Sequence, residues 1–198
     1  MDHSESVNGI FLYPLISTKW GAYPNGAEAL ASTRVLDHGV VALLSTYHSD
    51  QMIAETARVS YGKGTKQIKT EAGLIRYLMR HRHTSPFEHA EVTFYLRIPI
   101  FVARQLIRHR TANVNEYSAR YSELSDDFYV PSPDYLHEQS TTNKQGRGSL
   151  LSSEAALNAQ VEFVNAQQNG LQTYHRLLDR RISREVARVV TSVGTYTE

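Results

Sequence analysis

The chain has 198 residues, with Lys+Arg 21 against Asp+Glu 20, a net charge of +1 and 41% hydrophobic residues. That balance excludes a disordered chain and a globally basic nucleic-acid binder, so any basic site must be local. Cysteine is absent, which excludes disulfides, Cys-ligated zinc or iron–sulfur centres and a thiol nucleophile. The longest apolar runs, such as Val40-Val41-Ala42-Leu43-Leu44, fall far short of the roughly 20 residues of a membrane-spanning helix. The start, Met1-Asp2-His3-Ser4-Glu5-Ser6, lacks the basic and apolar regions of a secretory signal, so a cytoplasmic protein without membrane partners is expected.

In chain order, residues 1–34 read as an irregular leader, punctuated by Gly9, Pro14, Gly21, Pro24, Asn25 and Gly26 and packed at Phe11, Tyr13 and Trp20. Val35 to Leu44 reads as a strand. Ser49-Asp50 caps a helix starting near Gln51, with Met52, Ile53, Thr56, Ala57, Val59 and Ser60 as its apolar stripe. Gly62, Gly64 and three nearby lysines make a loop. Thr70 and Glu71 open a second helix carrying Leu74, Ile75, Leu78 and Met79.

Residues 92–98 alternate Val92, Phe94, Leu96 and Ile98 against Thr93, Tyr95 and Arg97, which predicts a half-buried strand ended by Pro99. Phe101 to Arg110 reads as a helix. Residues 131–149, with Pro131, Pro133, Gly146 and Gly148, read as a long mobile loop. Ser152 or Ser153 caps the longest helix, about 153–180, with Ala156, Val161, Val164, Leu171 and Leu177 buried and an interruption or a bend at Gly170. Ser183 opens a short helix through Val190. Helices outnumber strands, so the expected class is α+β (α/β), a small antiparallel-type sheet with long helices.

The segment from Gln105 to Ser122 carries the most chemistry. Arg104, Arg108, Arg110 and Arg120 meet a single carboxylate, Glu116. On a helix over 101–110, Arg104 and Arg108 lie one turn apart, as do Gln105 and His109. Guanidinium forks suit phosphate, and Asn113, Asn115 and Ser118 suit a hydrogen-bonding ring. The plainer alternative is a solvated, Arg-rich helix end that favours the dipole. His81, His83 and His89 form a second cluster, which fits a Pro-turned helix end better than a metal site, so no metal is expected. Arg184 and Arg188, at i,i+4, form a third.

These clusters, in this order, resemble the flavin-dependent thymidylate synthase family. The signature reads Arg108-His109-Arg110, then Asn113, Asn115-Glu116, and Ser118-x-Arg120-Tyr121-Ser122. Ala57-Arg58-Val59-Ser60, Ser85-Pro86-Phe87-Glu88-His89, Pro99 to Gln105, Phe128-Tyr129-Val130-Pro131 and Arg184 to Arg188 agree with it. The resemblance spans roughly residues 35–190, and it implies one such domain over 35–198. It implies an FAD enzyme, a homotetramer that methylates dUMP to dTMP, with 5,10-methylenetetrahydrofolate as carbon donor and NADPH as reductant. The missing cysteine agrees, because the unrelated thymidylate synthases need a thiolate.

Carried over by residue, the resemblance implies Gln105, Arg108, Glu116, Ser118, Arg120 and Arg188 around dUMP. It implies Ser85, Arg108, His109, Arg110 and Glu116 at FAD, and Ser118 and Arg120 as catalytic. No base to activate Ser118 is evident, so an orienting hydroxyl is the favoured role. Two departures stand out. Asn113 replaces a serine, and Thr191-Ser192 stands where the family has Leu-Pro, followed by Tyr196-Thr197-Glu198. The expectation is therefore a C-terminally incomplete domain. Its alternative function is a nucleotide- or flavin-binding homologue with little catalytic activity. A module binding RNA through Arg108, Arg110, Arg120, Tyr117 and Tyr121 is disfavoured by the balanced charge.

Overall fold

The computed structural model describes residues 29–60 and 70–198, and the backbone of two short antiparallel strands, β1 (Ser6–Val7) and β2 (Ile10–Phe11). The anchoring expected of Phe11, Tyr13 and Trp20, and the Gly62/Gly64 loop, lie outside the described residues. The chain divides into two units, Met1–Thr33 with Val41–Tyr95 and Arg34–Val40 with Leu96–Glu198.

In the first unit, α1 (Asp50–Arg58) and α2 (Glu71–Arg80) start after Ser49 and Thr70, as the sequence predicts. Each has a carboxylate in its first turn and an arginine in its last, which complements the helix dipole. Ala54, Ala57, Leu74 and Leu78 form an apolar core, with Phe87 of the 3-10 turn Ser85–His89 packed on it. Two alanines opposite two leucines let the helices approach closely. Met52, Val59 and Met79 of the expected stripes are exposed instead.

Strands β3 (Ala31–Val35), β4 (Gly39–Tyr47), β5 (Glu91–Pro99) and β8 (Tyr196–Thr197) hydrogen-bond in that order. The single strand expected over 35–44 is thus two, because Leu36 turns the chain at φ 57°. Asp37 fastens that turn: its carboxylate accepts from the His38 and Val130 amides, both at 2.9 Å. Gly39 is required there, since a Cβ would lie 2.5 Å from the Val35 carbonyl oxygen.

Strand β5 ends at Pro99 as expected, but its burial reverses the reading from alternation. Val92 and Phe94 are exposed, whereas Arg97 is 3% exposed. Helix α3 (Ile100–Leu106) is shorter than the 101–110 predicted. Its first amides donate to the backbone of the 193–195 segment, Ile100 to Thr195 and Phe101 to Val193, both at 2.9 Å. Those bonds satisfy orphan helix-start donors that have no side-chain cap. Arg108 and His109 continue only as turns, through bonds to the Gln105 and Leu106 carbonyls, so the one-turn pairing of Arg104 with Arg108 does not apply.

The loop predicted over 131–149 is ordered. A 3-10 turn (Pro133–Tyr135) leads into an antiparallel hairpin of β6 (His137–Gln139) and β7 (Arg147–Leu150). Its tip is built by Ser140 Oγ accepting from the Asn143 amide at 3.1 Å and Asn143 Oδ1 accepting from the Gln145 amide at 3.0 Å. Helix α4 (Ser153–Asp179) is capped by Ser152, whose hydroxyl accepts from the Ala155 amide. It buries Ala156, Gln167, Leu171 and Tyr174, while Val161 is exposed. The helix runs unbroken past Gly170, where a Cβ would meet the Val190 carbonyl oxygen at 2.9 Å. That glycine does not interrupt the helix, and it serves close packing. The short helix α5 (Arg184–Ala187) passes into a 3-10 turn (Arg188–Val190), as expected from Ser183 onward.

The class is therefore mixed α+β. Among the described residues eight β-strands outnumber five α-helices, contrary to expectation, because the strands are spread over three sheets and most are two to five residues long. No helix among them is long and apolar enough to cross a membrane.

Candidate functional site

The second unit is organised around a guanidinium. Arg97 on β5 donates to the His38 carbonyl oxygen at 3.1 Å, to Ser125 Oγ at 3.1 Å and to Asp127 Oδ2 at 2.6 Å. Its Nε lies 3.3 Å from Glu198 Oε1, and its plane sits 5.4 Å from the centre of the Tyr196 ring. Ser125 Oγ also donates to Asp127, so three groups share one charge-assisted knot. Burial pushes the Asp127 carboxyl up, but the hydrogen bonds from Arg97 and Ser125 and the Arg97 charge outweigh it and hold the group below its ordinary value. Tyr196, 2% exposed, donates its hydroxyl to Asp37. Burial, then that bond, pushes its phenol above the ordinary range.

Strand β8 carries this knot to the signature segment. The Tyr117 amide donates to the Glu198 carbonyl oxygen at 2.8 Å, and Thr197 Oγ1 donates to Glu116 Oε1 at 2.8 Å. Glu116 is thereby held by a residue 81 positions away. The Ser118 carbonyl oxygen accepts from the Tyr121 and Ser122 amides, closing a turn in which Ser118 Oγ accepts from the Arg120 amide at 3.4 Å. Tyr117 donates its hydroxyl to the Glu123 carbonyl oxygen at 2.9 Å. A cleft of about 210 Å³ opens here, lined by Arg97, Tyr117, Glu123, Ser125, Tyr196 and Glu198.

The same turn meets α5. Arg120 Nε lies 3.3 Å from Glu185 Oε1, and Arg184 reaches the Tyr121 carbonyl oxygen at 3.5 Å and Glu123 Oε1 at 3.4 Å. The end of the Gln105–Ser122 cluster, with Glu123 beyond it, is thus brought to the 184–188 cluster, with Arg188 in the turn that follows. These are exposed pairs worth a few tenths of a kcal/mol up to about 1, so they orient more than they stabilise. Gln105, Arg108, His109 and Arg110 are exposed at the end of α3 and just beyond it. Among the described residues no carboxylate forms an ion pair with Arg104, Arg108 or Arg110. Ser85 opens the 3-10 turn of the first unit and is exposed. The Tyr77 ring lies 4.2 Å from the His81 ring at a tilt of 43° and meets the His83 ring edge-on at 6.3 Å between centroids.

Several organising residues carry no local signal in the sequence. Arg97 reads as the solvent side of a strand, and Asp37, Asp127 and Gln167 as unremarkable polar residues. Gln167, 7% exposed, donates to the Tyr129 carbonyl oxygen at 2.6 Å and accepts from Ser192 at 2.6 Å. Ser192 in turn accepts from the Gly194 amide at 3.0 Å, so the unusual Thr191-Ser192 pair is integrated into the packing. A single clue was available: Arg97 is the one cation in a strand otherwise polar only through Thr93, Tyr95 and its leading Glu91.

Residues 42–198 match the family model described as thymidylate synthase complementing protein. A curated relative named flavin-dependent thymidylate synthase, from Ehrlichia ruminantium (strain Gardel), is 48% identical over 165 residues, covering 83% of this chain and 56% of its own. One of the same name from Dictyostelium discoideum is 47% identical over 173 residues, covering 83% and 57%. The chain thus spans about half the length of the curated relatives it matches. A solved UMP/dUMP methylase, PolB from Streptomyces cacaoi bound with 5-Br UMP, superposes with a TM-score of 0.72 at 40% identity, covering 83% of this chain and 70% of that one.

Proposed function

The chain belongs to the thymidylate synthase complementing protein family, and from that premise we propose that it is the nucleotide-binding part of a flavin-dependent thymidylate synthase, which methylates dUMP to dTMP. One observation carries the reading: in an Arg-rich, carboxylate-poor segment, 104–120, Arg120 meets Glu185 of α5 at 3.3 Å and Glu116 is held by Thr197 at 2.8 Å. Similarity to a UMP/dUMP methylase supports a uracil nucleotide as the substrate class.

The residues fit the groups that the reading requires. Arg108 and Arg110, exposed and outside any ion pair among the described residues, suit the pyrophosphate of FAD, with His109, Ser85 and Glu116 as further contacts. When bound, the flavin supplies the reducing electrons, replenished by NADPH, while 5,10-methylenetetrahydrofolate supplies the carbon. Gln105 and Glu116 read the edge of the ring. Arg120 and Arg188, with Arg108, bind phosphate and favour negative charge on the uracil. Ser118 orients the nucleotide, because its hydroxyl meets an amide donor and no base among the described residues. Assembly as a homotetramer belongs to the reading, and exposed Leu157, Val161 and Phe163 on α4 offer apolar surface for it.

The test is to purify the protein, record its flavin spectrum, and titrate it with dUMP and with UMP by calorimetry. Assays for dTMP formation with methylenetetrahydrofolate and NADPH follow. Bound flavin with saturable dUMP binding is expected. A folded protein that binds neither uracil nucleotide removes the reading. Preference for UMP moves it to the ribonucleotide.

A further inference from the structure

Building on the reading of 116–120 as a dUMP site, we infer that Arg97 is its positioning residue, holding Glu116 and the Tyr117–Ser118 backbone through strand β8. The guanidinium is nearly fully buried and faces carboxylates on two different segments, Asp127 at 2.6 Å and Glu198 at 3.3 Å. Its reach is indirect: Glu198 takes the Tyr117 amide at 2.8 Å, and Thr197, one residue earlier, takes Glu116 at 2.8 Å.

Strand β8 contributes only two residues to the sheet, and its register with β5 is Ile98↔Thr197 and Pro99↔Tyr196. So short a strand is weakly held by its ladder alone. Backbone bonds from neighbouring segments hold it too, Ile100 to the Thr195 carbonyl oxygen and Tyr196 to that of Asp127, and side chains fix its end: Arg97 beside Glu198, and Asp37 bonded to the Tyr196 hydroxyl. Lysine at position 97 keeps the charge but lacks the planar fork, so it cannot serve His38, Ser125, Asp127 and Glu198 together. The Glu116–Ser118 segment then loses its reference point while the helices of the unit keep their own packing.

The experiment compares the wild type with Arg97→Lys, Thr197→Val and the double variant, in the flavin-loaded full chain. Two quantities are read: hydrogen exchange at the Tyr117 amide and dUMP affinity by calorimetry. For Arg97→Lys, Tyr117 exchange is expected to rise at least tenfold while buried α4 amides change less than twofold. Affinity for dUMP should fall at least fivefold. Because both residues act along one path, the double variant should lose no more than the worse single variant, whereas independent effects multiply.

Where Arg97→Lys does not fold, Asp127→Asn replaces it, with the same direction expected and a smaller size. Unchanged Tyr117 exchange and unchanged affinity overturn the inference. So does a rise at Tyr117 matched by an equal rise across α4, which marks a merely structural role, and so does multiplicative loss in the double variant. If the wild type binds no dUMP, the functional reading falls instead, and the exchange measurement alone still decides whether Arg97 holds the segment.

Discussion

The two units solve the problem of a small core by opposite means. The first buries alanine against leucine between α1 and α2, with no buried polar residue among those described. The second gathers Arg97, Thr195, Thr197 and Gln167 among its buried residues and ties them with hydrogen bonds. Apolar packing tolerates substitution of similar volume, because it asks only for shape. A buried charged knot asks for particular atoms, and it fixes the position of segments that have no regular structure of their own. The candidate nucleotide-binding segment, 113–118, has neither helix nor strand, and it is attached to the knot. The apolar core serves stability, and the polar one serves stability and placement together.

The largest expected effect tests that contrast directly. Arg97→Met keeps length and removes charge, which leaves Asp127 and Glu198 without their cation. Removing one partner of a buried pair costs about 3 kcal/mol, the low end of the range applying because both carboxylates keep some contact with water. Denaturant unfolding is the measurement, and a loss under about 1 kcal/mol would reduce the knot to decoration. In the other unit, Leu74→Ala should cost about 2.5 kcal/mol, while Leu74→Met should cost less than about 1.5 kcal/mol. Equal losses for the two Leu74 variants would show that this core, too, depends on exact side-chain identity.

Arg120→Lys comes next. It retains charge toward Glu185 but loses the fork. We expect dUMP affinity to fall about tenfold, or about 1.4 kcal/mol, by calorimetry, with thermal stability unchanged because the Arg120–Glu185 pair is exposed. Unchanged affinity in the folded variant removes Arg120 from the binding role.

The knot also sets a pH dependence on both sides. Asp127 is held below its ordinary value of about 4. Its contribution is complete above that value and is lost as pH falls through the lowered one, because the unfolded chain binds the proton first. Tyr196 is pushed above its ordinary value of about 10. Its contribution is complete below about 10 and is lost as pH rises beyond it, since the unfolded phenol ionises first. Unfolding followed from pH 2 to 11 should show stability falling at both ends. Asp127→Asn should flatten the acid limb and Tyr196→Phe the alkaline limb. Limbs unaltered by these substitutions would assign the pH dependence to other groups.

How much of this was legible in the sequence follows the same contrast. Periodicity located α1, α2 and α4, because helix burial repeats every three or four residues, and cap-type residues flagged those starts and that of α5, although Ser152 alone of the four makes a side-chain cap bond. Strand β5 was found, yet alternation assigned the wrong inward side at Arg97, since the partner that makes its burial affordable lies 30 residues away. The end of α3 was overrun because Arg108, His109 and Arg110 are acceptable helix formers. The hairpin over 137–150 was missed because it rests on Ser140 and Asn143 turn bonds rather than an apolar pattern. Candidate site residues were legible only as a signature: nothing local told that Thr197 would hold Glu116.

Gly170 gives the smallest test and separates two meanings of a glycine within a helix. Helix propensity alone says that Gly170→Ala stabilises the protein by about 1 kcal/mol, since alanine restricts the unfolded chain and favours the helix. The packing says otherwise. An added Cβ would come 2.9 Å from the Val190 carbonyl oxygen, a backbone atom at the end of the 3-10 turn that follows α5. Relieving that contact requires α4 or the 188–190 turn to shift, at about 1 to 3 kcal/mol. The two terms oppose each other, and the steric one is the larger, so a net loss of about 1 kcal/mol is expected from the difference between them. Denaturant unfolding of Gly170→Ala measures it. A gain in stability would mean that the 188–190 turn yields easily, and Arg188, which sits in it, would then be held more loosely than its proposed place at the nucleotide requires.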